Sequence, residues 1–192
     1  MQFKDRPRPT GTMAAKTSVF YLTERLSIGT SGTDVTDTID LGAYVDVADR
    51  QGVLVHAVDF VWEGSDNAGN AQALTLSLGG SGTGQIQVTD LNRGALAFAD
   101  DRALVASGQI LYGSTDNNLS HDADLYPDNF GPTSAQGGRI VINDQMYVRG
   151  RWTGSISANE AVECTVRIKC SVISLSQKDF MAIALQSTAA DN

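Results

Sequence analysis

At 192 residues the chain suits one domain, long enough to bury roughly 70% of its unfolded surface. Its 19 glycines against only 14 Lys plus Arg fit a β protein with many turns. The net charge of −8 is uneven: residues 1–16 hold Lys4, Arg6, Arg8 and Lys16 against Asp5, a balance of +3, which leaves −11 for the rest. An acidic body argues against a nucleic-acid surface on the folded domain, whereas a short basic segment has the character of an interaction tail or a solvated terminus.

In chain order, residues 1–17 carry Pro7, Pro9 and Gly11 among charges and read as a basic extended arm. Residues 18–192 then form a single sandwich domain. The first sixteen residues have no apolar h-region, so no secretory segment is expected, and no apolar run is long enough for a membrane span. A first strand is expected over 18–28, with Phe20, Leu22, Leu26 and Ile28 in phase and Glu24 interrupting. A short strand follows at 36–41, and 43–50 is a helical turn or an extended crossing.

The stretch 53–62, rich in β-branched and aromatic residues and free of Gly and Pro, predicts one long central strand. Strict alternation puts Leu54, His56, Val58, Phe60 and Trp62 on one face and Val53, Val55, Ala57, Asp59 and Val61 on the other. Both faces are largely apolar, which suits the middle of a layered structure. Alternation at 71–78, with Leu74, Leu76 and Leu78 on one side, predicts a half-buried strand. The glycines of 79–84 read as a flexible hairpin loop before a strand at 85–89. Residues 91–101 fit helix or strand, and 103–112 is a strand in which Gly108 suggests a bulge.

The longest irregular stretch is 113–138, a polar loop of a size usually tied to function, to a contact surface or to mobility. Residues 139–143 and 145–153 read as two strands or as one long bent strand. The clearest alternation is at 163–172, with Cys164, Val166, Ile168, Cys170 and Val172 inward and Glu163, Thr165, Arg167, Lys169 and Ser171 toward water. Ser176 with Asp179 forms a capping box, which predicts a short C-terminal helix, with a last strand as competitor. No internal repeat or heptad is present.

Little of this points to chemistry. His56 reads as a hydrogen-bonded core histidine, and His121 lies beside Asp122 on the long loop. Cys164 and Cys170 sit on one face of a strand, roughly 20 Å apart, too far to bridge, and read as small buried hydrophobes. The hydrolase and zinc signatures are missing. The acidic run 122–128 fails as an EF-hand because Pro127 and Thr133 stand where Gly and Glu belong, which leaves a solvated loop, with a looser calcium site as its rival. Asn118-Leu119-Ser120 is a glycosylation sequon. Trp62 reads as core, not as part of a sugar platform.

Eight or nine evenly spaced strands without crossover helices give an all-β, antiparallel β-sandwich, and the two-faced strand with its arm and tail narrows this to a jelly roll. In this order of elements (arm, the segment 41–52 leading into the central strand, long loop, last strand at 162–175) the chain resembles the single jelly-roll capsid proteins of icosahedral viruses, including the membrane-containing kind that infect archaea and bacteria. No motif matches residue by residue. The resemblance implies a structural virion protein, made in host cytoplasm, that self-assembles as a homo-oligomer of capsomers and shell. Other capsid proteins are further partners it suggests, as is an internal membrane or genome touched through the arm residues Lys4, Arg6, Arg8 and Lys16. It implies no enzyme activity, no metal, no cofactor and no small-molecule substrate. Readings of other classes are a carbohydrate- or protein-binding module of a virus fibre or cell surface, and a cupin-type enzyme, which two separated histidines serve poorly.

Overall fold

The computed structural model describes residues 14–123 and 138–189. Its strands are β1 (Ala14–Ala15), β2 (Phe20–Ile28), β3 (Val35–Asp40), β4 (Gln51–Ser65), β5 (Ala71–Gln72), β6 (Leu78–Thr89), β7 (Leu104–Gly113), β8 (Asn118–Ala123), β9 (Arg139–Val141), β10 (Gln145–Ile156) and β11 (Ala161–Ser174), followed by the helix α1 (Gln177–Ala189).

All pairings are antiparallel. Setting aside the two-residue strands β1 and β5 and the edge strand β8, one sheet runs β2-β11-β4-β9 and the other β3-β10-β6-β7. The partners are nested: β6 with β7, then β4 with β9, β3 with β10, and outermost β2 with β11. The chain is in effect one long hairpin wound around itself so that its arms alternate between two sheets. That is a jelly roll, and the expected all-β sandwich with a short C-terminal helix stands.

The core lies between the sheets. Val166, Ile168, Cys164 and Cys170 of β11 meet Ile86, Val88, Val148 and Met146 of the second sheet, all buried. A second cluster around the fully buried Trp152 joins Ile28, Leu74, Ile110 and Val162. A third lies outside the sandwich, where α1 lays Phe180 and Ile183 on Leu54, Ile140 and Ile173.

The shared face expected for Leu54, His56, Val58, Phe60 and Trp62 does not hold. Opposite β4, Lys169 pairs with Ala57 and Cys170 with Val55, so His56 is an extra residue and forms a β-bulge. An inserted residue reverses the phase of everything beyond it. Val53 and Val55 point into the sandwich together with Val58, Phe60 and Trp62. Leu54 instead joins the helix cluster outside. β4 is nonetheless the interior strand its two apolar faces require.

Three further expectations are corrected. Residues 71–78 are not one strand: a 3-10 turn at Leu74–Leu76 buries Leu74 and leaves Leu76 exposed. Nor is 79–84 a loop; it is the first half of β6. A Cβ on Gly82 would stand 2.7 Å from the Trp152 ring, and one on Gly84 2.7 Å from Trp62. These glycines make room for indoles, not for a turn. Likewise Gly108 sits in register opposite Ile86, where a Cβ would meet Phe60 at 2.7 Å, and the bulge of β7 falls near Val105 instead.

Candidate functional site

The end of the first sheet where β11 stops gathers the features that bear on assembly. β2 covers the outer side of β11 only from Val162 to Cys170. Beyond that point the backbone groups of β11 would be left unpaired on this side. Residues 14–17 satisfy them: Ala14 lies opposite Ser174 and Ala15 opposite Ile173. The Lys16 N–H donates to the Val172 carbonyl at 2.8 Å, and the Val172 N–H donates to Thr17 Oγ1 at 3.0 Å. The last residues assigned to the arm by sequence are therefore bonded to the sandwich.

Of the four basic arm residues, Lys16 alone falls within the described part. Its Nζ lies 4.0 Å from an Asp49 carboxylate oxygen, with both side chains well exposed, a geometry that contributes little stability. Lys4, Arg6 and Arg8 lie outside the described residues.

The helix starts beside this root. Ser176 caps the helix as expected, the Asp179 N–H donating to its Oγ at 3.1 Å, but the Asp179 carboxylate accepts from the Ser176 hydroxyl at 2.6 Å where a full box would take the Ser176 backbone N–H. Phe180 and Ile183 turn toward the sheet, while Met181 and Leu185, one turn apart, are 54% and 67% exposed. An arm root and an exposed apolar pair thus share one end of the molecule.

The remaining candidates are scattered. His56 lies on the outer face of the first sheet, its Nε2 2.9 Å from Ser171 Oγ, so it is hydrogen-bonded as expected but not inside the sandwich. His121 is exposed on the edge strand β8. Cys164 and Cys170 are buried and unbridged; burial pushes the Cys170 thiol up to about 11 and the Cys164 thiol further. Residues 124–128 of the acidic run lie outside the described part. Among the described residues no group of three or more His, Cys, Asp or Glu is arranged to hold a metal, and no helix is long and apolar enough to cross a membrane.

Sequence reasoning missed two buried polar arrangements. Glu163, expected in water, is buried and its Oε1 accepts from Ser27 Oγ at 2.7 Å and from Ser65 Oγ at 2.8 Å. Arg139 donates to Asp90 at 2.8 Å and to the Arg102 carbonyl, pinning the start of β9 to the loop after β6. Alternation places Glu163 on the outer face correctly but carries no information on the serines beside it. Nothing local marks Arg139 as buried, since its partner lies 49 positions away.

No known protein family matches the sequence, and no curated protein matches it. A solved chain of Desmodium yellow mottle tymovirus superimposes on 92% of this chain and 97% of its own length, with a TM-score of 0.35 and 8% identity. A TM-score that low carries no functional weight, and the jelly roll rests on the strand order.

Proposed function

We propose that this chain is a structural capsid protein, many copies of which assemble into an icosahedral virus shell around a genome. A complete jelly roll with a basic segment rooted on the outer edge of β11, beside the exposed Met181 and Leu185 of α1, is the observation that carries this reading. A segment leaving a sheet edge is placed to reach an adjoining subunit: residues 1–13 extended would span up to about 40 Å. Its positive charge complements the acidic body of a second copy. Closed shells need only moderate contacts, because each subunit touches several neighbours and the shell adds them. In this reading the protein resides in the virion, and other capsid proteins, an internal membrane or the genome are secondary partners of the arm.

Electron microscopy of the purified protein, over a range of ionic strength, is the direct test. Shells, sheets or capsomers are the expected result. A chain that stays monomeric at all concentrations and salts overturns the assembly reading and returns the fold to its other uses as a binding module.

A further inference from the structure

The outer face of the second sheet, away from the arm root, carries a groove of about 280 Å³ between strands β6 and β7 and the loop 91–102. Its floor includes Gln85 and Gln109, directly opposed across the two strands, and Ser107; Phe98 stands at the rim and Arg151 lines it from β10. The loop wall is fixed. The Gln87 amide is bonded on both sides to Ala97, donating to its carbonyl at 2.8 Å and accepting from its N–H at 2.7 Å, and Arg93 bonds Asp101 at 2.7 Å across the loop. A groove with such a wall needs little ordering when a ligand enters.

We propose that this groove binds a neutral saccharide, one sugar ring seated on Phe98 with its hydroxyls on Gln85 and Gln109. Three observations select that chemistry. The side-chain amides of Gln85 and Gln109 have no partner among the described residues, and each offers both donors and an acceptor, as vicinal hydroxyls require. Ser107 is 4% exposed with its Oγ unpaired, so the floor is short of polar partners. Beside these amides Phe98 is 85% exposed, a flat apolar face whose negative quadrupole suits the C–H face of a pyranose.

Other ligands fit worse. Arg151 is held by Asp34, its Nε 2.5 Å from Oδ1, and Arg149 lies 3.7 Å from the other oxygen of the same carboxylate, so an anion would have to compete with Asp34 for either guanidinium. A purely apolar segment would strand both amides without partners. The volume falls just below the usual range for small-molecule pockets, which suits one ring with the rest of a glycan running out along the open side.

The test uses the full chain in its unassembled form and saturation-transfer NMR with free glucose, galactose, mannose and N-acetylglucosamine, one at a time. At least one is expected to bind with a dissociation constant on the order of millimolar. F98A and Q109L should each weaken that binding about tenfold or more with no change in melting temperature, since Phe98 touches little of its own fold. No saturation from any of the four sugars overturns the proposal, as does binding that neither substitution changes. If F98A instead only shifts the oligomeric state in sedimentation, the groove is a contact between copies and the saccharide reading is wrong.

Discussion

Trp62 and Gly84 face each other across the sandwich so closely that a single methyl group would decide the packing. The ideal Cβ of Gly84 falls 2.7 Å from Cη2 and 2.8 Å from Cζ3 of Trp62, and 2.9 Å from Ile110 Cγ2. Overpacking of this kind costs about 1–3 kcal/mol. Gly84→Ala is therefore expected to lower the unfolding free energy by that amount, seen as a lower urea midpoint with an unchanged slope. Trp62→Phe lacks the two atoms that collide, so in a double-mutant cycle it should return part of the loss, and strict additivity would show that the clash is not the cause. The cysteines give a second prediction at this scale. Burial holds Cys170 at about 11 and raises Cys164 beyond it, so at pH 8 neither supplies thiolate or access. Native protein should leave a disulfide reagent such as DTNB unreacted over the time in which the urea-unfolded chain titrates both thiols. Rapid labelling of the native chain would mean that β11 opens locally.

Among the elements, those whose pattern is carried by their own residues were legible, and those shaped by a distant neighbour were not. In β11 the inward set Cys164, Val166, Ile168, Cys170 and Val172 reads directly from alternation, because the extra residue of its bulge lies on the partner strand. β4 contains that extra residue, and nothing in 53–62 announces His56 as the position where the phase turns over. The glycines of β6 have the composition of a loop; only the two indoles that lie against them, from β4 and β10, explain them as strand. The groove of the second sheet was invisible for the same reason, since its floor and its wall come from separate stretches joined by the Gln87–Ala97 bonds. The helix was readable because a cap is local. Ser176→Ala removes the hydroxyl that accepts the Asp179 N–H at 3.1 Å and donates to its carboxylate at 2.6 Å. The expected loss is about 1 kcal/mol, seen in denaturant unfolding with native far-UV circular dichroism. An unchanged midpoint would mean that the packing of Phe180 and Ile183 alone holds the helix.

At the scale of the whole molecule the winding makes the two ends of the chain structural neighbours. β11, almost the last element, is flanked on its outer side by β2 and β1, almost the first, so the outermost pair of the jelly roll closes across nearly the full sequence. Contacts of such long range make folding slow, and they also fix where the arm ends and the domain begins. The sequence places that boundary after residue 17, but the bonds of Ala14, Lys16 and Thr17 to β11 place residues 14–17 with the sandwich. Two truncations then separate stability from assembly. Removing residues 1–13 takes away Lys4, Arg6 and Arg8 and leaves the bonds of residues 14–17 to β11 in place, so the melting temperature should hold to within a few degrees while particle formation falls. Removing 1–17 also strips the outer side of Val172 to Ser174, leaving their backbone groups to water. It should lower the melting temperature as well, by more than the shorter cut. The salt response identifies what the arm touches: phosphate contacts release counterions and weaken steeply as salt rises, whereas an arm docked on a second copy through Phe3 and Met13 weakens less. Four basic residues are few for holding a genome, so the shallow response is expected. If the chain lacking residues 1–13 forms particles as well as the intact one, the arm is a solvated terminus and assembly must rest on the sandwich and its helix.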